Sequence, residues 1–164
     1  TARLRLRRPR EGDLEAFFAI MSDPRAMRYW STLPHASPQV TQAWLDQKIQ
    51  RTAAGGEDFV IERDGELIGE VGAGRLPDFG FMLRPDCWGQ GYATEAAAAC
   101  ISHVFAAHPI PTLEADVDPR NAASLAVLEK LGFVVTGTAE KTFLLGDEWC
   151  DSVYLSLARP HGVP

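Results

Sequence analysis

The order of sequence patterns over residues 1–164 predicts a single α+β domain, a mixed central sheet of about six to seven strands flanked by about four helices. Two amphipathic helical segments stand near the start, strand-like segments fill the middle, and helix, strand and helix then alternate before closing strands. With 46% hydrophobic and 23% charged residues, the chain has the composition of a globular protein and the length to bury one core without disulfides or metals.

Arg3-Leu4-Arg5-Leu6-Arg7 alternates charged and apolar residues, the pattern of a half-buried strand with a solvated arginine face. A nucleic-acid arm is the competing reading of Arg3 to Arg10, but 22 acidic residues against 16 Lys and Arg, a net charge of −6, argue that nucleic acid is not a partner. Gly12-Asp13 opens a helix with Leu14, Phe17, Phe18 and Met21 on one face and Asp13 as its N-cap. Ser37-Pro38 places a capping residue before a first-turn proline, and Val40, Trp44, Leu45 and Ile49 form the buried stripe of a second helix.

Phe59-Val60-Ile61, the Asp64-Gly65 turn, Leu67 to Val71 and Phe79 to Leu83 give a three-stranded antiparallel meander. Gly72 to Asp78, rich in turn formers, is expected to be irregular. The alanine-rich run from Thr94 to Ala107 favours a third helix, ended by Pro109. Leu113 to Val117 alternates as a strand, and Asn121 to Leu131 forms a short helix with Leu125, Leu128 and Leu131 inward and Gly132 as its stop. Phe133 to Thr136, Thr142 to Leu145 and Ser152 to Leu157 close the sheet, with Gly146-Asp147 as a turn.

Cys87, Cys100 and Cys150 are odd in number and form no CxxC pair, which fits a reducing compartment, so a cytoplasmic location is expected. No run reaches the ~18 apolar residues of a membrane span. His35, His103, His108 and His161 show no ligand spacing, so no metal is expected, and His103 reads as a surface or boundary residue. Neither a G-x-S-x-G elbow nor a Walker lysine is present.

Trp88-Gly89-Gln90-Gly91-Tyr92-Ala93-Thr94-Glu95-Ala96 sets two glycines and a small residue directly before the strongest helix. Glycine lets the backbone approach a ligand, and free amides at a helix N-terminus point at an anion, so a diphosphate is the natural guest. On the residues alone two other readings stay open. One is a loop whose glycines only relieve crowding; the other is a dinucleotide-binding G-x-G-x-x-G, which Thr94 at the third glycine position disfavours.

This nonapeptide, together with Asp118-Pro119-Arg120-Asn121-Ala122-Ala123-Ser124 and Glu129-Lys130-Leu131-Gly132-Phe133, resembles the GCN5-related N-acetyltransferase superfamily. Within it the chain resembles the branch of ribosomal-protein N-terminal acetyltransferases, of which Arg3 to Arg7, Ser22 to Trp30 and Gly146 to Asp151 are also typical. The similarity covers nearly the whole chain. It implies acetyl-CoA as cosubstrate, no metal, direct acetyl transfer to a primary amine (a peptide N-terminus or a small amine), no membrane partner, and a monomer or homodimer. The family's turn, Q/R-x-x-G-x-G/A, falls with Gly91 and Ala93 on its small positions and Trp88 in place of Gln or Arg.

The resemblance therefore implies cofactor contacts from Trp88, Gly89, Gln90, Gly91, Tyr92, Ala93 and Thr94 around the turn, and from Asn121, Ser124 and Lys130 beyond it. It also implies that Phe81, Met82 and Leu83 splay from Leu113 to Val117, so that their backbone holds the pantetheine as a short added strand. Transfer from a thioester needs a neutral amine, a polarised carbonyl and a stabilised thiolate. Many relatives protonate that thiolate with a tyrosine where this chain has Leu128, so the resemblance moves the role to Ser124, with Asn121 holding the pantetheine. The competing reading is that Ser124 only caps or packs its helix.

For the base, Glu114 and Asp116 share one strand face and Glu70 lies on the meander. Relatives of the ribosomal type carry an acidic residue where this chain has Thr142, so no motif chooses among the three. Tyr29 and Trp30, between the first two helices, are candidate walls of the acceptor pocket, whereas Trp44 and Trp149 read as core. The net charge favours a cationic acceptor. A non-catalytic CoA-binding regulatory module is the alternative, motivated by the missing tyrosine and the unassigned base.

Overall fold

The computed structural model describes residues 1–160, so His161 lies outside the described residues. Strands β1 (Arg5–Arg7), β2 (Glu57–Arg63), β3 (Glu66–Arg75), β4 (Asp78–Leu83), β5 (Thr112–Val117), β6 (Val134–Leu145) and β7 (Glu148–Ala158) form one seven-stranded sheet in the order β1-β2-β3-β4-β5-β7-β6. Every neighbouring pair is antiparallel except β4 and β5, which run parallel. The helices are α1 (Leu14–Met21), α2 (Pro24–Met27), α3 (Pro38–Ala53), α4 (Tyr92–Ala107) and α5 (Ala122–Lys130).

The strand alternation divides the core between two faces. Val60, Leu67 and Met82 pack with Phe17, Ile20, Met27 and Leu45 beneath α1 to α3. Ile61, Phe79 and Leu113 pack instead with Ala97, Val104 and Leu128 beneath α4 and α5.

Gly72 to Arg75 continues β3 rather than forming a loop, pairing Ala73 with Glu57 and Gly72 with Asp58. A Cβ at Gly72 would stand 2.6 Å from the Glu57 carbonyl oxygen, and one at Gly74 2.2 Å from the Asp58 carboxylate. These glycines admit crowded neighbours inside a strand, which the sequence cannot distinguish from turn chemistry. Val134 to Thr136 and Thr142 to Leu145 likewise belong to one register-shifted strand, β6, with Phe133 just before it, because β7 pairs with both parts. The short α2 comes from a cap-proline pair overlooked in sequence, the Asp23 side chain accepting from the Arg25 N–H at 2.8 Å.

Two expected caps differ. Ser37 precedes Pro38 without a side-chain cap bond. Asp13, buried at the entry to α1, accepts from Arg7 Nη1 at 2.8 Å and from the Arg10 N–H at 2.9 Å instead. The arginine face of β1 is accordingly not merely solvated, since Arg3, Arg7 and Arg8 pair with Glu95, Glu62 and Glu57. The buried stripe of α3 is Thr41, Leu45 and Lys48, with Val40 exposed, because a buried carboxylate pair draws Lys48 inward.

Candidate active site

Strands β4 and β5 pair at one position only among the described residues, Asp78 with Glu114, where the Glu114 N–H donates to the Pro77 carbonyl at 2.9 Å. Beyond that point no ladder joins them, and a gap opens toward their C-terminal ends. On the other edge of β4, the Arg84 N–H donates to the Ile68 carbonyl at 2.8 Å. Antiparallel alternation then turns the backbone groups of Met82 toward β3 and those of Phe81 and Leu83 toward the gap. The Leu83 carbonyl accepts from Trp88 Nε1 at 2.9 Å, which leaves the Phe81 N–H and C=O and the Leu83 N–H facing the gap.

The glycine turn follows directly. Gly89 and Gly91 take φ values of 72° and 80°, a region that costs side-chain-bearing residues strain and glycine none. Gly91 is the N-cap of α4 and supplies no capping side chain, so the amides of Tyr92, Ala93 and Thr94 open α4 as unpaired donors. Helix α4 thus begins at Tyr92, earlier than its alanine run suggests. Trp88 anchors the turn through its indole, and Gln90 through its side-chain amide, which donates to the Asp86 carbonyl at 3.0 Å.

Arg3 is a site residue that the sequence did not reveal. Its Nη1 donates to the Gln90 carbonyl at 3.0 Å and its Nε to Glu95 at 2.6 Å, while its guanidinium lies 4.6 Å from the centre of the Tyr92 ring. An arginine two residues before β1 and far away in the chain gives no local signal that it braces this turn.

Helix α5 begins just past the end of β5. The Asn121 side chain accepts from the Ser124 N–H at 3.2 Å, so the cap is Asn121 and the half-buried Ser124 hydroxyl is not needed for it. Leu128 is fully buried in the core, as its apolar character requires. Lys130 is exposed in the last turn, about 9 Å along the helix from Ser124.

The three candidate bases part company. Glu114 and Asp116 are exposed on one face of β5, opposite Ser156 and Tyr154 of β7, while Leu113 and Ala115 point into the core on the other. Glu70 is only 5% exposed, with its carboxylate 2.6 Å from Lys48 Nζ; Lys48 also lies 3.0 Å from Asp58, which Arg51 meets at 2.9 Å. Against the pull of burial, Glu70 and Asp58 hold the Lys48 ammonium above its ordinary pKa. Glu70 is therefore paired with Lys48 in a buried network, unlike the exposed Glu114 and Asp116.

The loop after α2 runs from the α1–α3 side of the sheet toward the β6–β7 turn. The half-buried Tyr29 has the Arg28 guanidinium 5.4 Å from its ring centre, and Trp30 rests against the α1–α3 core. The Asp118 carboxyl, at the end of β5, is held below its usual range chiefly by hydrogen bonds from Arg120, with the charge of Arg28 adding to the effect. Further along, the exposed Leu33 reaches the β6–β7 turn, where a Cβ on Gly146 would stand 3.9 Å from it. Trp149, expected in the core, is exposed beside that turn opposite Leu144, while Trp44 packs edge-on against Phe17 at 5.0 Å. Among the described residues, no cluster of His, Cys, Asp or Glu is arranged to hold a metal, and no helix is long and apolar enough to cross a membrane.

Comparison with known proteins bears on this arrangement. Residues 3–134 match the acetyltransferase (GNAT) domain family. The chain is 34% identical over 151 residues to the probable N-acetyltransferase YjcK of Bacillus subtilis (strain 168), covering 88% of this chain and 82% of that one. It is 25% identical over 160 residues to the spermidine N(1)-acetyltransferase of Escherichia coli (strain K12), covering 94% and 85%. Among solved structures, a GNAT-family acetyltransferase from Bacillus anthracis matches with a TM-score of 0.83 at 26% identity over 96% of this chain and 95% of that one. RimL, a ribosomal L7/L12 α-N-protein acetyltransferase in complex with coenzyme A, shares the fold with a TM-score of 0.85 at 20% identity, covering 96% and 95%.

Proposed function

Because this chain belongs to the GNAT acetyltransferase family, it is an N-acetyltransferase, and we propose that it moves the acetyl group of acetyl-CoA directly to a primary amine. The observation that carries the cofactor reading is the juxtaposition of an uncapped helix N-terminus at Gly91 with a strand gap whose Phe81 edge is free. The first feature suits a pyrophosphate and the second an extended amide-bearing arm, and coenzyme A contains both. Solved relatives of the same fold carry coenzyme A.

In this reading the amides of Tyr92, Ala93 and Thr94 hold the pyrophosphate, with Trp88, Gln90 and the two glycines shaping the turn. The Phe81 and Leu83 backbone groups hold the pantetheine, and a gap-facing N–H polarises the acyl carbonyl. Asn121 and Lys130 complete the cofactor surface. Acetyl-CoA supplies the activated thioester. The Ser124 Oγ–H donates to the departing sulfur, and Glu114 or Asp116 takes the proton of the amine, directly or through water. Glu70 is assigned to the scaffold. Tyr29 and Trp30 wall the acceptor side.

The acidic pair on the exposed face of β5 and the net charge of −6 favour a cationic acceptor. Spermidine, the substrate in the name of one relative, and short peptides with a free N-terminus, as for RimL, are the probes that follow. Thiol release from acetyl-CoA is measured with each, alongside the melting temperature with and without acetyl-CoA. A ligand-dependent rise in melting temperature with turnover of at least one amine is expected. An unchanged melting temperature overturns the cofactor reading, and stabilisation without any turnover indicates the non-catalytic module.

A further inference from the structure

The corner between β5 and α5 carries an arginine that the transfer chemistry above does not use. Arg120 precedes Asn121, the cap of α5, and is fixed on one side by Asp118. Its own N–H donates to Asp118 Oδ1 at 2.8 Å, its Nε to the same oxygen at 2.9 Å, and its Nη2 to Oδ2 at 2.6 Å. The outward nitrogen Nη1 donates to Glu148 at the start of β7, and Nη2 approaches Cys150 Sγ at 3.7 Å.

Asp118 and Cys150 are buried, whereas Glu148 is 60% exposed, so the inner part of this network is shielded and the outer part opens to water. A guanidinium already held by a bidentate carboxylate presents its remaining donors in a fixed direction, so little side-chain freedom is lost when Glu148 joins it. The hairpin it grips stands at the margin of the molecule. Strand β6 is the last in the sheet, and at its tip a Cβ on Gly146 would stand 3.9 Å from Leu33 of the loop after α2. Arg28, on the loop that carries Leu33, adds its charge to the field at the same Asp118 carboxyl.

We propose that Arg120 is a positioning residue, a latch that ties the β6–β7 hairpin to the N-terminus of α5 and so fixes the acceptor side of the gap. Its effect on turnover rests on the acetyltransferase reading; the latch itself does not. Neither Arg120 nor Glu148 touches the glycine turn, and when only the Glu148 end is released Arg120 keeps its Asp118 anchor and Asn121 its cap bond, so loosening the outer end of the latch spares the cofactor and disturbs the amine.

Hydrogen–deuterium exchange of the intact protein tests the latch without any acceptor. Glu148→Gln, a change at an exposed position that leaves the buried Asp118 partnered, is expected to speed exchange of hairpin amides 143–150 by about 10-fold while amides of α4 keep their rates. With whichever amine of the probe set turns over, Glu148→Gln raises KM for the amine about 5-fold and leaves KM for acetyl-CoA within about 2-fold. Arg120→Lys, which keeps the charge and loses the fork, falls between the wild type and Arg120→Ala in both measurements. Unchanged hairpin exchange in Glu148→Gln overturns the latch, and equal rises in the two KM values overturn its assignment to the acceptor side. If no probe amine reacts, the acetyltransferase reading fails while the exchange result still decides the latch.

Discussion

Replacing Glu70 with Gln separates a structural carboxylate from a catalytic one. The buried network around it is balanced, with Lys48 and Arg51 against Asp58 and Glu70, and the Lys48 ammonium is 2.6 Å from Glu70 and 3.0 Å from Asp58. Removing one partner of a buried pair costs roughly 3–5 kcal/mol when it strands the other charge. Here Lys48 keeps Asp58, and Arg51 is partly exposed and can turn toward water, so the cost falls to about 2 kcal/mol. For a chain of this length that is a fall of about 4–8 °C in Tm. Lys48→Met is the harsher partner experiment, because it leaves Glu70 without its counter-ion, and about 4 kcal/mol is expected. Differential scanning calorimetry gives the stability, and thiol release from acetyl-CoA gives kcat. The structural assignment expects Glu70→Gln to lose stability and keep kcat within about 3-fold. A fall in kcat on the order of 100-fold with an unmoved Tm would refute it and return Glu70 to the role of general base.

Other changes probe the turn and the transfer step. Gly91→Ala places a side chain at φ 80° without a serious clash, its Cβ lying 3.4 Å from Arg3, so roughly 1–2 kcal/mol of backbone strain and weaker acetyl-CoA binding by calorimetric titration are expected; wild-type affinity would contradict the turn's role. Arg3→Ala removes the brace on the Gln90 carbonyl and Glu95, and with these groups partly exposed the expected loss is about 1 kcal/mol, or about 5-fold in KM for acetyl-CoA. Ser124→Ala should lower kcat on the order of 100-fold with the cap of α5 intact, because Asn121 supplies it; an unchanged rate would make Ser124 a packing residue. The Asp118 carboxyl has a depressed pKa in the fold, chiefly from Arg120, so its contribution is complete above its unfolded value of about 4 and is lost as pH falls through the lower folded value. Arg120→Ala should therefore melt with a shallower loss of Tm below about pH 4 than the wild type, and parallel curves would dissociate Asp118 from Arg120.

The parts of this molecule that were legible in sequence are those in which a local pattern and its physical cause coincide. The glycine turn before α4 is such a case: two positive-φ positions and a helix start fall within a few consecutive residues, and the distant Arg3 only braces what they form. The alternation of Leu113 and Ala115 with Glu114 and Asp116 is another, since period two separates a buried face from an exposed one whatever the neighbouring strand. Legibility ended where a residue's role depends on a partner far along the chain. Lys48 lies on α3 at a position that hydropathy assigns to solvent, and only the approach of Asp58 and Glu70 from the sheet draws it inside. Gly72 and Gly74 look like loop residues until β2 is laid against them.

The same distinction governs the site. In the proposed assignment its cofactor half rests mainly on backbone, the Phe81 edge and the first turn of α4, whereas its acceptor half draws on side chains of three separate segments: Tyr29 and Trp30 after α2, Glu114 and Asp116 on β5 with the Asp118–Arg120 corner beyond it, and Glu148 on β7. Backbone-built sites tolerate changes in side chains, because amides remain when residues differ; a site assembled from side chains changes with each of them. On the proposed reading, selectivity for one amine over another resides in the loop after α2 and the β6–β7 hairpin. Exchanging those two segments between this chain and a relative of known acceptor should move the amine preference while leaving the affinity for acetyl-CoA in place.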